Sequence, residues 1–442
     1  MAGSSQFARE HLRQLLLAAQ GSYETLESRL SSDLSTPLKL FPAGTRTDPR
    51  ALHHRWDLLD EAIGNRDATT SARAQLLDPV CSELAAGGAF SHNIENFIGT
   101  VKLPVGIIGP LRVNGLFAKG DYHIPLATTE AALVASYHRG ACLLSIAGGC
   151  TSILLSSAVS RAPAFAFRTL AESGRFVAWV LSQEERFREI TGQNSRYAKL
   201  LDIGTTVEAN HVYLSFSYST GDASGQNMVT ICTNAICNEI IACCPVKPQR
   251  IYVEGNFSGD KKASAQAFVT VRGRKVSAEA VLPGELVQRM LHCSPLEMVD
   301  YWRMSAMGGV LSGTMGVQGH FANGLAALYI ACGQDPACVA ESAVGVTRFE
   351  LQEDNSLYAS VTSPSIMVGT VGGGTGLPSQ RACLDLMALP KENSASALAE
   401  ICGGLILAGE LSIIGAMAAG HFARAHHRRA RGREKMPRDL PE

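Results

Sequence analysis

The sequence predicts an α+β fold: a large α/β domain spanning most of the chain, a ferredoxin-like (βαββαβ) domain inserted in it, and an N-terminal helical arm. Three observations predict it. The chain has 442 residues, more than one hydrophobic core accommodates. Residues 163 to 253 read strand, helix, strand, strand, helix, strand, the split pattern of that small fold at a length suited to its own core. On either side, short apolar pieces punctuated by glycine and proline alternate with apolar helices.

Composition narrows the class. Hydrophobic residues are 46% of the chain and charged residues 18%, with a formal net charge of -1. That balance suits a globular protein and points to neither a nucleic-acid nor a membrane-surface partner. The 12 cysteines contain no Cys-x-x-Cys pair. Cys142, Cys150 and Cys402 sit in apolar runs, as reduced buried thiols do, and no metal site is expected. The N-terminus has Arg9, Glu10 and Arg13 before a short leucine run, unlike a signal peptide. Glu400 and Glu410 interrupt the longest apolar stretch, which therefore does not read as a bilayer span. A soluble cytoplasmic protein is expected.

Residues 1–94 form the helical arm. Phe7 to Gln20 is a short amphipathic run, and Arg50 to Gly64 places Leu52, Trp56, Leu59 and Ile63 on one face. Pro37, Pro42 and Pro49 mark the loop between them. Residues 95–162 are the first part of the large domain. Glu95 to Leu111 is strand and turn. Thr128 or Thr129 caps a helix running through Leu144, with Glu130 in its first turn, where the helix dipole favours a carboxylate. Gly148 and Gly149 stop it.

Residues 163–252 are the insertion. Ala164 to Phe167 is its first strand and Ser173 to Thr191 its first helix. Leu200 to Glu208 and His211 to Ser219 flank a turn. Asn227 to Cys243 is the second helix, and Arg250 to Glu254 is extended. The loop Thr220 to Met228 lets the backbone approach a ligand at a helix N-terminus, or is an ordinary capped loop; it is not a Gly-x-Gly-x-x-Gly fingerprint. Ser195 and Arg196 pair a hydroxyl with a guanidinium, which suits a phosphate or an ordinary surface.

Residues 253–442 complete the large domain. Ser264 to Arg272 and Lys275 to Val281 alternate as strands, and Pro283 to Cys293 opens a helix. His320 to Cys332 is an apolar helix with Asp335 just beyond its end. Val368 to Gly376 is the most glycine-dense segment, either a phosphate cradle or a connector. Ala395 to Arg424 is a long apolar helix. It leads into a tail, His421 to Arg431, which is either a disordered basic end or a flap carrying an imidazole over a site.

Glu254 to Lys262, Glu-Gly-Asn-Phe-Ser-Gly-Asp-Lys-Lys, is the stretch most able to deliver fixed charge. A lysine held there can stabilise a developing oxyanion. Alone it reads equally as a solvated turn with a surface ion pair.

In order, Glu-Asn-Phe-Ile-Gly, Ala-Thr-Thr-Glu, Gly-Asp-Ala-Ser-Gly-Gln-Asn-Met, Asp-Lys-Lys, Gly-Gln-Asp and Gly-Thr-Val-Gly-Gly-Gly-Thr resemble the catalytic portion of the 3-hydroxy-3-methylglutaryl-coenzyme A reductase family, from about Glu95 to Arg431. The resemblance implies NADPH-dependent reduction of an acyl-CoA thioester through a thiohemiacetal and an aldehyde to mevalonate. It implies catalytic roles for Glu130, Lys261, Asp335 and His426. Substrate-binding positions would be Arg161, Asn256, Asp260, Lys262, Arg139, Ser136 and Asn323. Cofactor-binding positions would be Ser195, Arg196, Asp222, Gly225, Asn227, Met228, Gly372 and Gly373, making the inserted domain the nucleotide-binding one. It also implies a homodimer or higher homo-oligomer with active sites between subunits. Four positions depart from the family pattern: Glu254 for serine, His138 for asparagine, Ala131 for glycine and Arg303 for lysine. They keep two alternatives open, a reductase of another acyl-CoA and a nucleotide-binding homologue without turnover.

Overall fold

The structure, a computed structural model, describes residues 13, 14, 17, 44–91, 93–270 and 272–420. Most of the Phe7 to Gln20 run, and the tail with His426, lie outside the described residues. The chain divides into two compact units, Met1–Thr100 and Val101–Glu442.

In the first unit, helices α1 (Pro49–Ile63), α2 (Arg66–Leu76) and α3 (Pro79–Ala86) each start on a side-chain cap, from Asp48, Asn65 and Asp78. Such caps satisfy amide groups that the helix itself leaves unpaired. Leu52 and Trp56 are buried as their spacing predicts, but Ile63 is 55% exposed. The inward face is completed instead by Arg55, which donates to the carbonyls of Arg46, Phe97 and Gly44.

The second unit is built on one mixed sheet. Its strands are β1 (Val105–Gly115), β2 (Lys119–Ala127), β3 (Cys150–Arg161), β4 (Ala164–Ala166), β5 (Lys199–Glu208), β6 (His211–Ser219), β7 (Arg250–Tyr252), β8 (Gly273–Leu282), β9 (Gly316–Val317), β10 (Gly345–Leu351) and β11 (Leu357–Ile366). The order is β7-β4-β6-β3-β8-β11-β10-β9, with β1 on β3, β2 on β1 and β5 on β6. The long strand β3 joins the two halves: Thr151 to Ala158 pairs with β8, and Val159 to Arg161 pairs with β6.

Helices α4 (Leu133–Ile146), α5 (Leu170–Leu181), α6 (Glu184–Asn194), α7 (Gln226–Cys243), α8 (Gly284–Leu291), α9 (Pro295–Ser312), α10 (Phe321–Ala331), α11 (Pro378–Leu386) and α12 (Ser394–Ala418) pack with it, and a single helical turn, Val339–Ser342, follows α10. Among the described residues, only α12 is long and apolar enough to cross a membrane, and 83% of its most apolar window is buried. It packs on β1, β3, β8 and β11. The two acids interrupting its apolar pattern are wholly buried. Glu400 accepts from the amides of Leu116, Phe117, Ala118 and Leu154. Glu410 accepts from the amides of Gly319 and His320 and from the Thr347 hydroxyl. Buried carboxylates persist where donors replace water in this way.

Several expected elements differ. Ser264 to Arg272 is not a strand. It holds a 3-10 turn, Ala265–Phe268, capped by Ser264, whose hydroxyl accepts from the Gln266 amide. The predicted single helix from Ser173 to Thr191 starts earlier and is two helices, α5 and α6, breaking at Ser182 and Gln183. Neither Thr128 nor Thr129 caps α4. Ala132 has φ 70, so the helix starts at Leu133, and Thr128 Oγ1 instead accepts from the Glu130 amide. Glu130 therefore sits in a turn ahead of the helix. Beyond the expected helix from Pro283, the chain forms a further helix, α9, which starts on a Ser294–Glu297 capping box.

Helices α4 and α12 cross so closely at Gly140 that an added Cβ would lie 1.9 Å from the Ala408 carbonyl oxygen. Gly140→Val should therefore cost about 3 kcal/mol or more of unfolding free energy, as overpacking does. A denaturant titration reads it, and an unchanged midpoint would contradict the crossing.

Candidate active site

The loop after β7 leaves the sheet through a tight passage. At Gly255 a Cβ would come 2.5 Å from the Ala164 Cβ, and Phe257 stacks on Tyr213 with ring centroids 5.3 Å apart. Asn256, Gly259 and Lys261 all have positive φ, 61°, 74° and 57°. For a lysine that backbone is strained and needs its surroundings to impose it.

The surroundings are a run of alternating charge in which Arg161, Arg272 and Glu341 are buried and Glu254 and Asp260 partly so. Glu254 Oε2 lies 3.2 Å from Arg161 Nη1, and Arg161 Nη1 lies 3.0 Å from Asp260 Oδ2. Asp260 Oδ1 meets Arg272 Nη2, and Arg272 Nε lies 2.8 Å from Glu341 Oε2. Arg272 also donates to the Ser160 carbonyl. Burial alone would push the Asp260 carboxyl up, but Arg272 and Arg161 together hold it below its ordinary range. Burial pushes the Glu341 carboxyl up despite Arg272. The acid at 254 is turned inward: it also accepts from the amides of Phe257, Ser258 and Ala162. Glu254 thus closes its own loop.

Lys261 leaves this base toward α10. Its Nζ lies 2.8 Å from Asp335 Oδ2. Asp335 follows the α10 terminus, where Gly333 has φ 65, and its Oδ1 caps the next turn through the Ala337 amide. The hydrogen bond that Lys261 donates to Asp335 raises the Lys261 pKa. Burial works to raise the Asp335 carboxyl, but the Lys261 ammonium and the Ala337 amide hold it below its ordinary range.

Lys261 and Asp335 line a cavity of about 620 Å³ with Gly225, Asn227, Met228 and Gly372. Gly225 has φ 77 and opens α7 without a side-chain cap, leaving first-turn amides for an anion. Gly372 and Gly373 each have open space where a Cβ would stand. The glycine loop and the loop before α7 are stitched together. Ala223 bridges to Val371, the Thr370 amide donates to the Asp222 carbonyl, and a Cβ on Gly369 would meet the Ser224 nitrogen at 2.4 Å. Beneath the seam, buried Arg274 donates to the carbonyls of Val368 and Gly221; burial lowers its pKa to about 10. The Asp222 carboxylate accepts from the Ala395 amide at the start of α12.

A second cavity, of about 460 Å³, is lined by Glu130, Ser136, Arg139, His320, Asn323 and Met417. Asn323 Nδ2 lies 3.3 and 3.2 Å from the Glu130 carboxylate oxygens. Ser136 Oγ lies 2.9 Å from Ser412 Oγ, and Arg139 donates to the Ser412 hydroxyl and carbonyl. Asn323 begins α10 and Asp335 follows its end, so the two cavities flank opposite ends of a helix about 16 Å long. Within one chain Lys261 and Asp335 come together, while Glu130 lines the other cavity.

Other expected site residues are placed as follows. Arg161 and Asp260 are held in the charge run, and Lys262 Nζ donates to the Asp260 carbonyl. Asn256 is exposed on the loop. Ser195 Oγ accepts from the amides of Tyr197 and Ala198 at the end of α6, beside exposed Arg196; neither lines the 620 Å³ cavity. Arg303 pairs with Asp300 at the surface, and His138 Nδ1 accepts from the Gly109 amide. Sequence reasoning missed Arg272, Arg274 and Glu341. The available signal was a pair of arginines in the alternating register that opens β8.

The Lys261–Asp335 pair gives a pH expectation. Asp335, with its folded pKa below 3.8, adds stability that is present above that value and lost as pH falls through the depressed pKa. Lys261, with its folded pKa above 10.5, adds stability that is complete below that value and lost as pH rises through the raised pKa. Asp335→Asn should remove both contributions and flatten both limbs of the stability–pH profile, as measured by thermal unfolding at stepped pH. Unchanged limbs would mean that the pair carries no charge coupling.

A sequence profile described as hydroxymethylglutaryl-coenzyme A reductase matches residues 52–431. The chain is 42% identical over 394 residues to the 3-hydroxy-3-methylglutaryl-coenzyme A reductase of Aeropyrum pernix, covering 86% of this chain and 93% of that protein. It is 41% identical over 343 residues to the same-named protein of Pyrococcus horikoshii, covering 76% and 83%. Among solved structures, it resembles the class II 3-hydroxy-3-methylglutaryl-CoA reductase from Streptococcus pneumoniae bound to NADPH. The TM-score is 0.61 at 20% identity, over 83% of this chain and 96% of that one.

Proposed function

The chain belongs to the hydroxymethylglutaryl-coenzyme A reductase family, and from that membership we infer that it reduces 3-hydroxy-3-methylglutaryl-CoA to mevalonate and free CoA, using NADPH. The observation that carries the reading is the Lys261 ammonium, fixed 2.8 Å from Asp335 at the wall of the glycine-lined cavity. A carbonyl oxygen taking up hydride becomes an alkoxide, and a fixed cation at that oxygen stabilises it.

The residues of that cavity fit a dinucleotide. The uncapped α7 terminus suits its pyrophosphate, and the open faces of Gly372 and Gly373 leave it room. When bound, each NADPH would supply one hydride, so the four-electron reduction takes two NADPH in succession. The first hydride and a proton convert the thioester to a thiohemiacetal. Its carbon–sulfur bond breaks as the hydroxyl gives up its proton, giving the aldehyde, and the thiolate takes a proton to leave as free CoA. The second hydride and proton give the alcohol. Lys261 holds the oxygen in both steps, with Asp335 fixing the ammonium. Glu130, steadied by Asn323, is read as a proton donor to the carbonyl oxygen, and His426 as the donor to the departing thiolate.

The separation of Glu130 from Lys261 within one chain supports a homo-oligomer, a homodimer in the simplest case, in which the Glu130 cavity of one subunit faces the Lys261 cavity of its partner. Exposed Met304, Met307, Val310 and Leu311 on α9 support it, because a large apolar patch favours a covered face. We read residues 163–252 as the inserted nucleotide-binding domain, supported by the order β7-β4-β6 with β5 on β6. Ser195 and Arg196 would receive the 2′-phosphate. The burial of α12 supports a soluble cytoplasmic protein.

Glu254 favours a second reading, a reductase of another acyl-CoA. By pairing with Arg161 it occupies a guanidinium otherwise available to a free carboxylate on the acyl group.

Oxidation of NADPH by a panel of acyl-CoA esters tests these readings. Turnover with 3-hydroxy-3-methylglutaryl-CoA is expected. Turnover with another ester alone would favour the second reading, and none with any ester, despite cofactor binding, would remove the enzyme reading. Lys261→Ala should abolish thioester reduction, by at least about 1000-fold in kcat, while leaving NADPH affinity nearly unchanged; an active variant would remove Lys261 from the chemistry. His426→Gln should slow thioester reduction but spare reduction of the free aldehyde, from which no thiolate leaves. Equal losses in both assays would reject that role.

A further inference from the structure

The end of β11 departs from its ladder. Pro364 has no amide hydrogen to give a neighbouring strand, and the register of β11 on β8 slips between Ser363 and Ile366. The four residues from Ser363 to Ile366 are all buried instead of alternating. The helical turn Val339–Ser342 is seated on this segment. The Ser342 hydroxyl donates to the Ser365 carbonyl at 2.8 Å, and the Ser363 hydroxyl donates to the Ser342 carbonyl at 2.9 Å. These bonds use backbone carbonyls and leave two side chains over, Ser365 and Glu341.

Both side chains line a cavity of about 10 Å³ with Arg272 and, from the loop that carries Lys261, Ser258, Gly259 and Lys262. Glu341, Ser365 and Arg272 are 1%, 1% and 3% exposed. Each has polar atoms without a hydrogen-bond partner among the described residues: both Glu341 carboxylate oxygens, the Ser365 hydroxyl oxygen and Arg272 Nε. Arg272 Nε and Glu341 Oε2 are 2.8 Å apart, close enough for charge attraction but not aligned for a hydrogen bond. Buried polar groups left in that condition cost free energy. Three of them around one small space call for a shared ligand.

The size and charge of the space select that ligand. A cavity of about 10 Å³ accommodates one water molecule and little more. Arg272 and Lys262 already oppose the Glu341 carboxylate, so a cation would add repulsion, and an anion would meet the carboxylate itself. A water molecule has two hydrogens to give and two lone pairs to receive. It can donate to a Glu341 oxygen, accept from Arg272 Nε–H and bond the Ser365 hydroxyl, which makes the roughly three bonds typical of an internal water.

We propose that this cavity is a binding site for a single internal water molecule, which joins β11, the helical turn after α10 and the residue ahead of β8 at the wall of the loop that carries Lys261. The proposal concerns how that loop is seated and does not depend on which acyl-CoA the protein reduces.

A crystal structure of the full chain, at a resolution that shows ordered water, tests it directly. We expect one peak about 2.6–3.2 Å from a Glu341 carboxylate oxygen and from at least one of Arg272 Nε and Ser365 Oγ. A cavity without such a peak, or filled by a realigned Glu341–Arg272 pair, would overturn the proposal. So would a peak with several oxygen ligands at about 2.4 Å, as a metal cation has. Two substitutions at Ser365, which has no part in the proposed chemistry, extend the test to solution. Ser365→Ala removes one partner but leaves the room, so the peak should persist. Amide hydrogen exchange across residues 258–262 should then stay within about threefold of wild type. Ser365→Val brings methyl groups into the water's position, so the peak should vanish and exchange should quicken by about tenfold or more. Wild-type exchange in the folded valine variant, or equal quickening in both variants, would overturn the link between the water and the loop. If the valine variant fails to fold, the wild-type and alanine crystals decide the matter.

Discussion

The alternation of charge from Glu254 through Arg161, Asp260 and Arg272 to Glu341 is the constraint on which the site depends. Each buried cation lies between two acids, and the run spans the end of β3, the loop after β7, the start of β8 and the turn beyond α10. Removing one member would leave an uncompensated charge in a poorly solvated place, which costs more than an intact pair contributes. Such an arrangement does more to select one geometry than to add stability. What it selects is a lysine with a left-handed backbone and its ammonium held by Asp335.

The core solves a different problem with similar means. Helix α12 has the apolar character of a span, yet it lies against the sheet, and its two acids gather backbone amides from loops that have no strand partner there. Glu400 organises the turn between β1 and β2, and Glu410 organises the entry to α10, the helix between the two cavities. The positions of Glu130's partner Asn323 and of Asp335 are thus set partly from the centre of the fold.

Much of this was legible in the sequence. The strand and helix order of 163–253 was readable because each element carries its own period and its turns carry glycine or asparagine. Lys261 and Asp335 stood out because they sit in short motifs whose order along the chain is informative. The remainder was illegible for physical reasons. Arg272 and Arg274 look like a basic strand entrance, and only the burial of both shows that one grips Asp260 and the other the seam of the glycine loops. Glu254 read as the start of a stretch that delivers fixed charge, whereas its oxygens face Arg161 and nearby backbone amides. The α4 start was misplaced because a threonine cap is a local signal, and the left-handed Ala132 that precedes Leu133 has no signature in its residue type. The split of α5 from α6 had no glycine or proline to announce it.

The seam between the glycine segment and the loop before α7 has an evolutionary consequence. Ala223 and Val371 are bridged, and Arg274 holds a carbonyl from each side, so neither segment can lengthen or shift without dragging the other. Ser195 and Arg196 stand outside that seam, at the end of a separate helix. If Ser195 and Arg196 receive the 2′-phosphate as proposed, discrimination between phosphorylated and unphosphorylated nicotinamide nucleotides can drift at those positions in small steps, while the stitched loops are inherited as a single piece.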